Sequence, residues 1–312
     1  MEAFFFAQKL DYIKKLEYYD RKYIVGGERM RHPEKWRETV DPFELPYDKF
    51  QLLEVLGYPH AGNDVFQVRG IYENHVVEAF IKVARQRGAD IRREIDTITA
   101  LQLEVMPTIL DHDEEGQRFV VTLAKEGERL STILGDNEGL ASMEYLYEYG
   151  QTLAHLHKLQ GDFPDVKDRP HFHIPPIEHF EKHGLQFVYE YLISHKPAQQ
   201  NKCFCHGDFH YANVLWKDKH ISAILDFELS GIGIKEFDIA WAFILRPGQR
   251  FLKTKDEVEL FLAGYLSEGS FDKGYLQYYV ALIYSRFYEF GRSDDGYQEY
   301  VRCLLQAICD QE

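Results

Sequence analysis

The sequence predicts an α+β protein, with a β-rich N-terminal part followed by a larger, mostly helical part. Three observations carry this. Short apolar runs with strand-like spacing recur from Phe50 to Val83, and helical periodicity dominates from Met143 onward. Inside the helical part lies one pair of β-rich runs joined by a polar turn, in the stretch from Cys203 to Trp241.

That stretch reads CFCHGDFHYANVLWKDKHISAILDFELSGIGIKEFDIAW. Val214-Leu215-Trp216 and the run Ile221 to Leu225, linked by Lys217-Asp218-Lys219-His220, predict an antiparallel hairpin. Asn213 just before its first strand and Asp226 just after its second fall at the same end, and Asp208 on the entering loop can reach that end. Two carboxylates and an amide suit a hard divalent cation, which takes oxygen ligands and often a phosphate. One carboxylate is left to accept a proton. This is the division of labour used in phosphoryl transfer, where a loop Asp takes the acceptor's proton while an Asn and a second Asp hold Mg²⁺.

HGDFHYANVLW followed by ILDFE resembles the catalytic core of the aminoglycoside phosphotransferase and choline kinase-like family, small-molecule kinases with a bilobal protein kinase-like fold. The resemblance implies Asp208 as catalytic base, Asn213 and Asp226 as metal ligands, and His206 as a brace for the catalytic loop. Asp238 in FDIAW would tie the C-lobe to that loop, and Glu228 stands where many relatives carry an acid. It further implies ATP and Mg²⁺ as cofactors and the hydroxyl of a small molecule, cationic in many relatives, as acceptor. The resemblance covers Tyr47 to the C-terminus. It divides the chain into an extension at 1–46, a nucleotide-binding N-lobe at 47–124 with one key helix, and a C-lobe at 125–312.

Bulk properties agree. The chain has 312 residues, enough for two lobes. A formal net charge of −15 argues against nucleic acid, whose phosphates need a basic surface. No stretch approaches the ~20 apolar residues of a membrane span, and MEAFFFAQKLDYIKK lacks the pattern of a signal peptide. A cytoplasmic protein, monomer or homodimer, is expected. Of the four cysteines, Cys203 and Cys205, on alternate positions of a strand, are expected to point to opposite faces, suiting neither a disulfide nor a zinc pair; reduced, buried thiols are expected.

Along the chain, Phe6, Leu10, Ile13 and Leu16 predict an amphipathic helix at the N-terminus. Strands are expected at Phe50 to Leu56, Asp64 to Arg69 and His75 to Val83. Gly57, Gly62 and Asn63 belong to the loop between the first two, where backbone N–H groups can meet phosphates. Lys82 lies in the third strand, where kinases carry a phosphate-contacting lysine paired with a helix glutamate. The next segment predicts a helix capped by Asp90, with Glu94 inside the apolar stripe of Ile91, Ile95 and Ile98. A buried carboxylate is costly unless paired, so a Lys82–Glu94 ion pair is expected. Strands at Pro107 to Asp111 and Phe119 to Leu123 follow. The window Thr122, Leu123, Ala124 and Lys125 would be the hinge whose backbone holds the adenine edge.

Helices are expected at Met143 to Leu159 and Ile177 to Ser194, with His155 and His157 as packing or surface residues. The aromatic-rich helices after Asp238 predict a core and, through the resemblance, the acceptor site. Glu228, Glu236, Trp241 and Glu289 are its candidates, with Asp294 and Asp295 as further acids. A protein kinase is disfavoured: the loop reads HGD rather than HRD, and Phe227 to Phe237 is too short for an activation segment. A metabolic kinase of choline or homoserine type and a catalytically silent pseudokinase are the alternatives.

Overall fold

The structure is a computed structural model that describes residues 40–59, 62–85, 88–293 and 296–310. The expected N-terminal helix and the acids Asp294 and Asp295 lie outside the described residues. The chain forms two compact units. The first holds the described residues up to Glu126 together with Ala223–Glu228; the second holds Gly127–Ser222 and Leu229–Glu312.

In the first unit, strands β1 (Phe50–Gly57), β2 (Asp64–Tyr72), β3 (His75–Val83), β4 (Ile109–His112) and β5 (Phe119–Leu123) form an antiparallel sheet in the order β1-β2-β3-β5-β4. The alternation along β2 and β3 puts Phe66, Val68, Ala79, Ile81 and Val83 on one buried face with Val55, Phe119 and Val121, as a period of two requires. Glu73 and Asn74, both at positive φ, close the β2–β3 hairpin, whose twist favours that backbone. Helix α1 (Ile91–Leu101) starts where the Asp90 side chain accepts from the Arg93 N–H, and it buries Ile91, Glu94, Ile95 and Ile98. The Asp111 carboxylate accepts from the N–H groups of Asp48, Lys49 and Phe50, which fixes the start of β1.

The second unit contains β6 (Glu128–Arg129), α2 (Leu130–Leu134), α3 (Leu146–His157), α4 (Ile177–His183), α5 (Gln186–Ser194), β7 (Lys202–Cys205) and β8 (Val214–Lys217). Strand β9 (His220–Ile224) begins here and runs into the segment that belongs to the first unit. There follow β10 (Gly231–Ile234), α6 (Lys235–Phe243), α7 (Lys255–Leu266), α8 (Lys273–Phe287) and α9 (Tyr297–Cys309). The expected hairpin is β8–β9, turned by Asp218 and Lys219 at positive φ. One difference from expectation has a clear cause. The run from Ile177 to Ser194 is not one helix: Gly184, at φ +63°, ends α4 and the chain restarts as α5. The glycine-rich Gly231–Ile234, whose two glycines have low strand propensity, forms β10 by pairing with β7. Among the described residues no helix is long and apolar enough to cross a membrane.

Two glycines let α3 and α7 touch backbone to backbone. A Cβ on Gly150 would lie 1.9 Å from the Phe261 carbonyl oxygen, and one on Gly264 would lie 1.9 Å from the Tyr147 carbonyl oxygen. Nearby, the buried Glu257 closes a capping box with Thr254 at the start of α7. Its carboxylate also accepts from Asn137 Nδ2, Ser142 Oγ and the N–H groups of Leu252 and Lys253. Burial works to raise its pKa, but the hydrogen bonds from Ser142 and the surrounding backbone outweigh burial and hold it below the ordinary value.

Gly264→Ala should therefore cost about 3 kcal/mol in denaturant unfolding through overpacking, where a typical exposed substitution stays within about 0.5 kcal/mol. Glu257→Gln should cost about 2–3 kcal/mol near neutral pH. Because the folded-state pKa of Glu257 is lowered, its contribution is complete above the unfolded value of about 4.3. It is lost as pH falls through the folded value. The gap between wild type and Glu257→Gln should thus narrow in unfolding measurements carried below about pH 4.

Candidate active site

In the first unit the side chains gather around one ammonium. Lys82 on β3 lies 2.7 Å from Glu94 Oε2, 2.7 Å from Asp226 Oδ1 and 2.8 Å from Glu228 Oε2. The strand brings Lys82 to this place because its neighbours Ile81 and Val83 are packed into the sheet core. Helix α1 brings Glu94 because its apolar stripe faces inward. Burial works to lower the Lys82 pKa, but Asp226, Glu94 and Glu228 outweigh it and drive it well above its ordinary value. Lys82 is therefore a fixed cation. One ammonium shared among three carboxylates does not neutralise them, and burial with the two other carboxylates pushes the Glu94 carboxyl up despite Lys82.

Asp226 adopts φ +67°, a left-handed backbone that is uncommon outside glycine, asparagine and aspartate. The side chain so presented keeps 44% of its surface exposed even with Oδ1 on Lys82. Glu228 also accepts from Asn63 Nδ2 at 2.7 Å and from the Asp90 N–H at 3.1 Å. Glu228 is thus a partner of Lys82, Asn63 and the Asp90 backbone within the first unit. Asn63 Oδ1 accepts from the Arg85 N–H, and the Gly62 carbonyl accepts from the Arg85 side chain. Gly57 ends β1 opposite Gln67.

In the hinge window, the sheet ladder already uses two N–H groups. Leu123 N–H donates to the Thr108 carbonyl and Ala124 N–H to the Glu78 carbonyl. Thr122 is paired within the sheet, between Phe80 and Ile109. Lys125 Nζ donates to the Glu104 carbonyl. Of the window Thr122 to Lys125, the N–H groups of Leu123 and Ala124 are therefore already engaged.

In the second unit the centre is Asp208. Its Oδ1 accepts from Trp241 Nε1 at 2.7 Å, and Oδ2 accepts from Asn213 Nδ2 at 3.3 Å and lies 3.7 Å from His210 Nε2. Asn213 also donates to the Asp208 carbonyl, so the short helical turn Tyr211–Asn213 closes back on the loop. Burial would raise the Asp208 pKa, but His210, the Trp241 N–H and Arg246 outweigh it and hold the carboxyl well below the usual carboxylate range. The carboxylate stays ionised with its acceptor orbitals directed by fixed donors.

The loop that carries Asp208 is held from behind by Asp238 on α6. Asp238 accepts from the N–H of His206 and of Gly207, each at 3.0 Å, and its Oδ2 lies 3.2 Å from His157 Nε2. His206 Nδ1 accepts from the Asp208 N–H. Gly207, at φ +81°, leaves no room for a side chain: a Cβ would meet the Leu229 carbonyl oxygen at 2.2 Å.

Three residues at this site were not anticipated. His210 flanks Asp208, and its ring also caps the Ala212 N–H. Arg169 donates to the Gly207 carbonyl at 2.7 Å and stacks near Phe172, Phe237 and Trp241. Arg246 sits over the Trp241 ring and donates to its carbonyl. The second histidine of HGDFH was a usable signal; the two arginines sit in segments with no pattern of their own. Among the acceptor candidates, Trp241 is a donor to Asp208. Glu236 is fully buried, accepting from Asn201 Nδ2 and the Asp272 N–H. Glu289 lies 3.5 Å from Lys182 and 3.6 Å from His183.

Cys203 and Cys205 do not point apart. Residues two apart on a strand share a face, and the two Sγ atoms approach to 3.8 Å. The expectation of opposite faces, and with it the argument against a metal pair, is overturned. All four cysteines are free thiols, but the expectation of burial holds for Cys205 alone, since Cys203 and Cys309 are half-buried and Cys303 is exposed.

No curated protein sequence matches the chain, but solved structures share its fold. A choline/ethanolamine kinase family protein from Mesorhizobium loti aligns at 14% identity with a TM-score of 0.52, covering 86% of this chain and 88% of the other. The gentamicin complex of APH(2")-IIa aligns at 15% identity with a TM-score of 0.53, covering 85% and 92%. Macrolide 2'-phosphotransferase MphH from Brachybacterium faecium aligns at 15% identity with a TM-score of 0.50, covering 86% and 96%. The phosphotransferase enzyme family matches residues 60–280, more than half of the sequence, and the chain belongs to that family.

Proposed function

We propose that this phosphotransferase is a small-molecule kinase that moves the γ-phosphoryl group of ATP to a hydroxyl, with Asp208 as the catalytic base. What supports this reading most directly is the Asp208 carboxylate, kept ionised and aimed by Trp241, Asn213 and His210. A loop carboxylate in such a frame accepts a hydrogen bond from the acceptor hydroxyl, orients its oxygen towards the γ-phosphorus, and takes the proton as the new P–O bond forms. Its low basicity suits a loose transition state, in which the proton leaves late. His206, Asp238 and Arg169 position the loop and touch no reacting atom.

Lys82 is proposed to contact the α- and β-phosphates, with Glu94 fixing the ammonium. Glu228 steadies Lys82 and Asn63 and so belongs to nucleotide binding. The loop of Gly57, Gly62 and Asn63 and the segment Thr122 to Lys125 are proposed to meet the phosphates and the adenine. Asp226 as carboxylate and Asn213 as amide are the proposed Mg²⁺ ligands. Their hard oxygen donors fit that ion, as does the exposed side chain of Asp226. Mg²⁺ would offset the charge that builds on the β- and γ-phosphate oxygens. Most of the rate enhancement is then positioning and charge stabilisation.

For the acceptor we propose a hydroxylated amine. The net charge of −15 favours approach of a cation. The solved structures of like fold include a choline/ethanolamine kinase family protein and a gentamicin complex. ADP release measured over a panel of amino-alcohols, amino-sugars, macrolides and simple sugars decides this; turnover confined to uncharged sugars would reject the amine. A pseudokinase is the weaker reading, since Lys82, Glu94, Asp208, Asn213 and Asp226 are all present.

Asp208→Asn should lower kcat at least ~10²-fold while a fluorescent ATP analogue still binds with near-wild-type affinity; near-normal turnover refutes the assignment. Lys82→Met should act on the other side of the reaction, weakening nucleotide binding by at least ~10-fold, since a charge-assisted contact of this kind contributes about 1.5–3 kcal/mol. Isothermal titration with ATP and Mg²⁺ reads that loss directly.

A further inference from the structure

One cluster of reactive side chains in the second unit has no part in the proposed reaction. A ring nitrogen of His157 on α3 and the sulfurs of Cys203 and Cys205 on β7 lie within 4.8 Å of one another. His157 and Cys205 are buried, while Cys203 is partly open to solvent, which supplies a path of entry. The strand opposite makes room for sulfur. Gly231 pairs with Cys205 and Gly233 with Cys203, and a Cβ on Gly233 would come 3.2 Å from Cys205 Sγ.

The spacing of the thiols is that of a metal site. At a tetrahedral zinc ion with Zn–S bonds of about 2.3 Å, two thiolates stand about 3.8 Å apart. The Cys203 and Cys205 sulfurs are 3.8 Å apart. A disulfide, with its S–S bond of about 2.05 Å, needs them far closer. Both ring nitrogens of His157 have partners: Nδ1 lies 2.7 Å from Tyr265 Oη and Nε2 3.2 Å from Asp238 Oδ2. Whichever nitrogen takes the ion, the other keeps an oxygen partner of the kind that orients metal-bound histidines. Two thiolates and an imidazole select a soft or borderline cation over Mg²⁺ or Ca²⁺.

We propose that Cys203, Cys205 and His157 form a zinc site, with water as the fourth ligand. On binding, the two thiols lose their protons to solvent and no group is oxidised. Strand β7 runs straight from Cys205 into His206-Gly207-Asp208, and His157 shares Asp238 with the backbone of that loop. The ion is therefore a structural brace for the loop, distinct from any cation used in phosphoryl transfer.

Untagged full-length protein grown with zinc and purified without chelator should retain about one zinc per chain by mass spectrometry. Replacing the zinc with Co²⁺ should give the near-ultraviolet thiolate-to-cobalt absorption. Cys203→Ser and Cys205→Ser should each lower retained zinc at least ten-fold, and Cys303→Ser, at an exposed thiol, should leave it unchanged. If the variants fold poorly, wild-type protein decides: zinc should raise its Tm, chelator should lower it, and zinc should shield Cys203 from a thiol reagent. Absence of zinc and of the cobalt band, copper held in its place, a Cys203–Cys205 disulfide, or zinc retained equally by Cys203→Ser would each overturn the proposal. None of these readouts involves phosphoryl transfer, so its failure is separable from failure of the kinase assignment.

Discussion

The carboxylate of Asp238 is the fixed point of the second unit. A backbone loop that must expose one functional carboxylate cannot satisfy its own N–H groups through a regular ladder, and buried unpaired N–H groups are costly. Asp238 accepts two of them, from His206 and Gly207, and so takes over the task a neighbouring strand would perform. Because Asp238 comes from the first turn of α6, the loop is referenced to a rigid helix rather than to other loops. Trp241, three residues further along the same helix, reaches Asp208. One helix thus supplies both the anchor of the loop and the donor that aims its reactive group. Gly207 is part of the same constraint, since the left-handed turn beside Leu229 leaves no volume for a Cβ.

The first unit solves a different electrostatic problem. A buried lysine alone would shed its proton, and buried carboxylates alone would gain one. Glu94, Asp226 and Glu228 together keep Lys82 charged, while burial and the two neighbouring carboxylates work against the charge on Glu94. The arrangement carries a surplus of negative charge, which disfavours bare phosphate and favours phosphate arriving with a cation. Of the three carboxylates, Asp226 is the one with a large exposed surface and an uncommon backbone angle. It is therefore the one best placed to exchange partners at low cost, while the buried Glu94 stays with Lys82.

Much of this was legible in the sequence because burial and periodicity left few choices. The strands from Phe50 to Val83 alternate, and Asp90 caps the following helix as its position suggests. The pairing of Lys82 with Glu94 follows from the cost of a carboxylate on an apolar stripe, and the two are 2.7 Å apart. Other features had no such handle. Strand β10, Gly231-Ile232-Gly233-Ile234, is too short and too rich in glycine to stand out, and it takes its ladder from β7. Arg169 and Arg246 come from loops whose course is set by packing. The break at Gly184 depends on one residue taking a positive φ inside a run that otherwise suits a helix. Cys203 and Cys205 were misread because the two-residue period of a strand was applied with the wrong parity.

The membership of Ala223–Glu228 in the first unit bears on how the protein can be cut. That short segment is separated from the rest of its unit by almost a hundred residues of chain, yet Ile224 N–H donates to the Val105 carbonyl and Asp226 and Glu228 both hold Lys82. A fragment ending near Glu126 would keep the sheet and α1 but lose two of the three counter-charges of its buried lysine. Splitting the gene at that point therefore removes part of a folding unit, whereas a circularly permuted chain that restores 223–228 beside the N-terminal strands keeps the charge set whole.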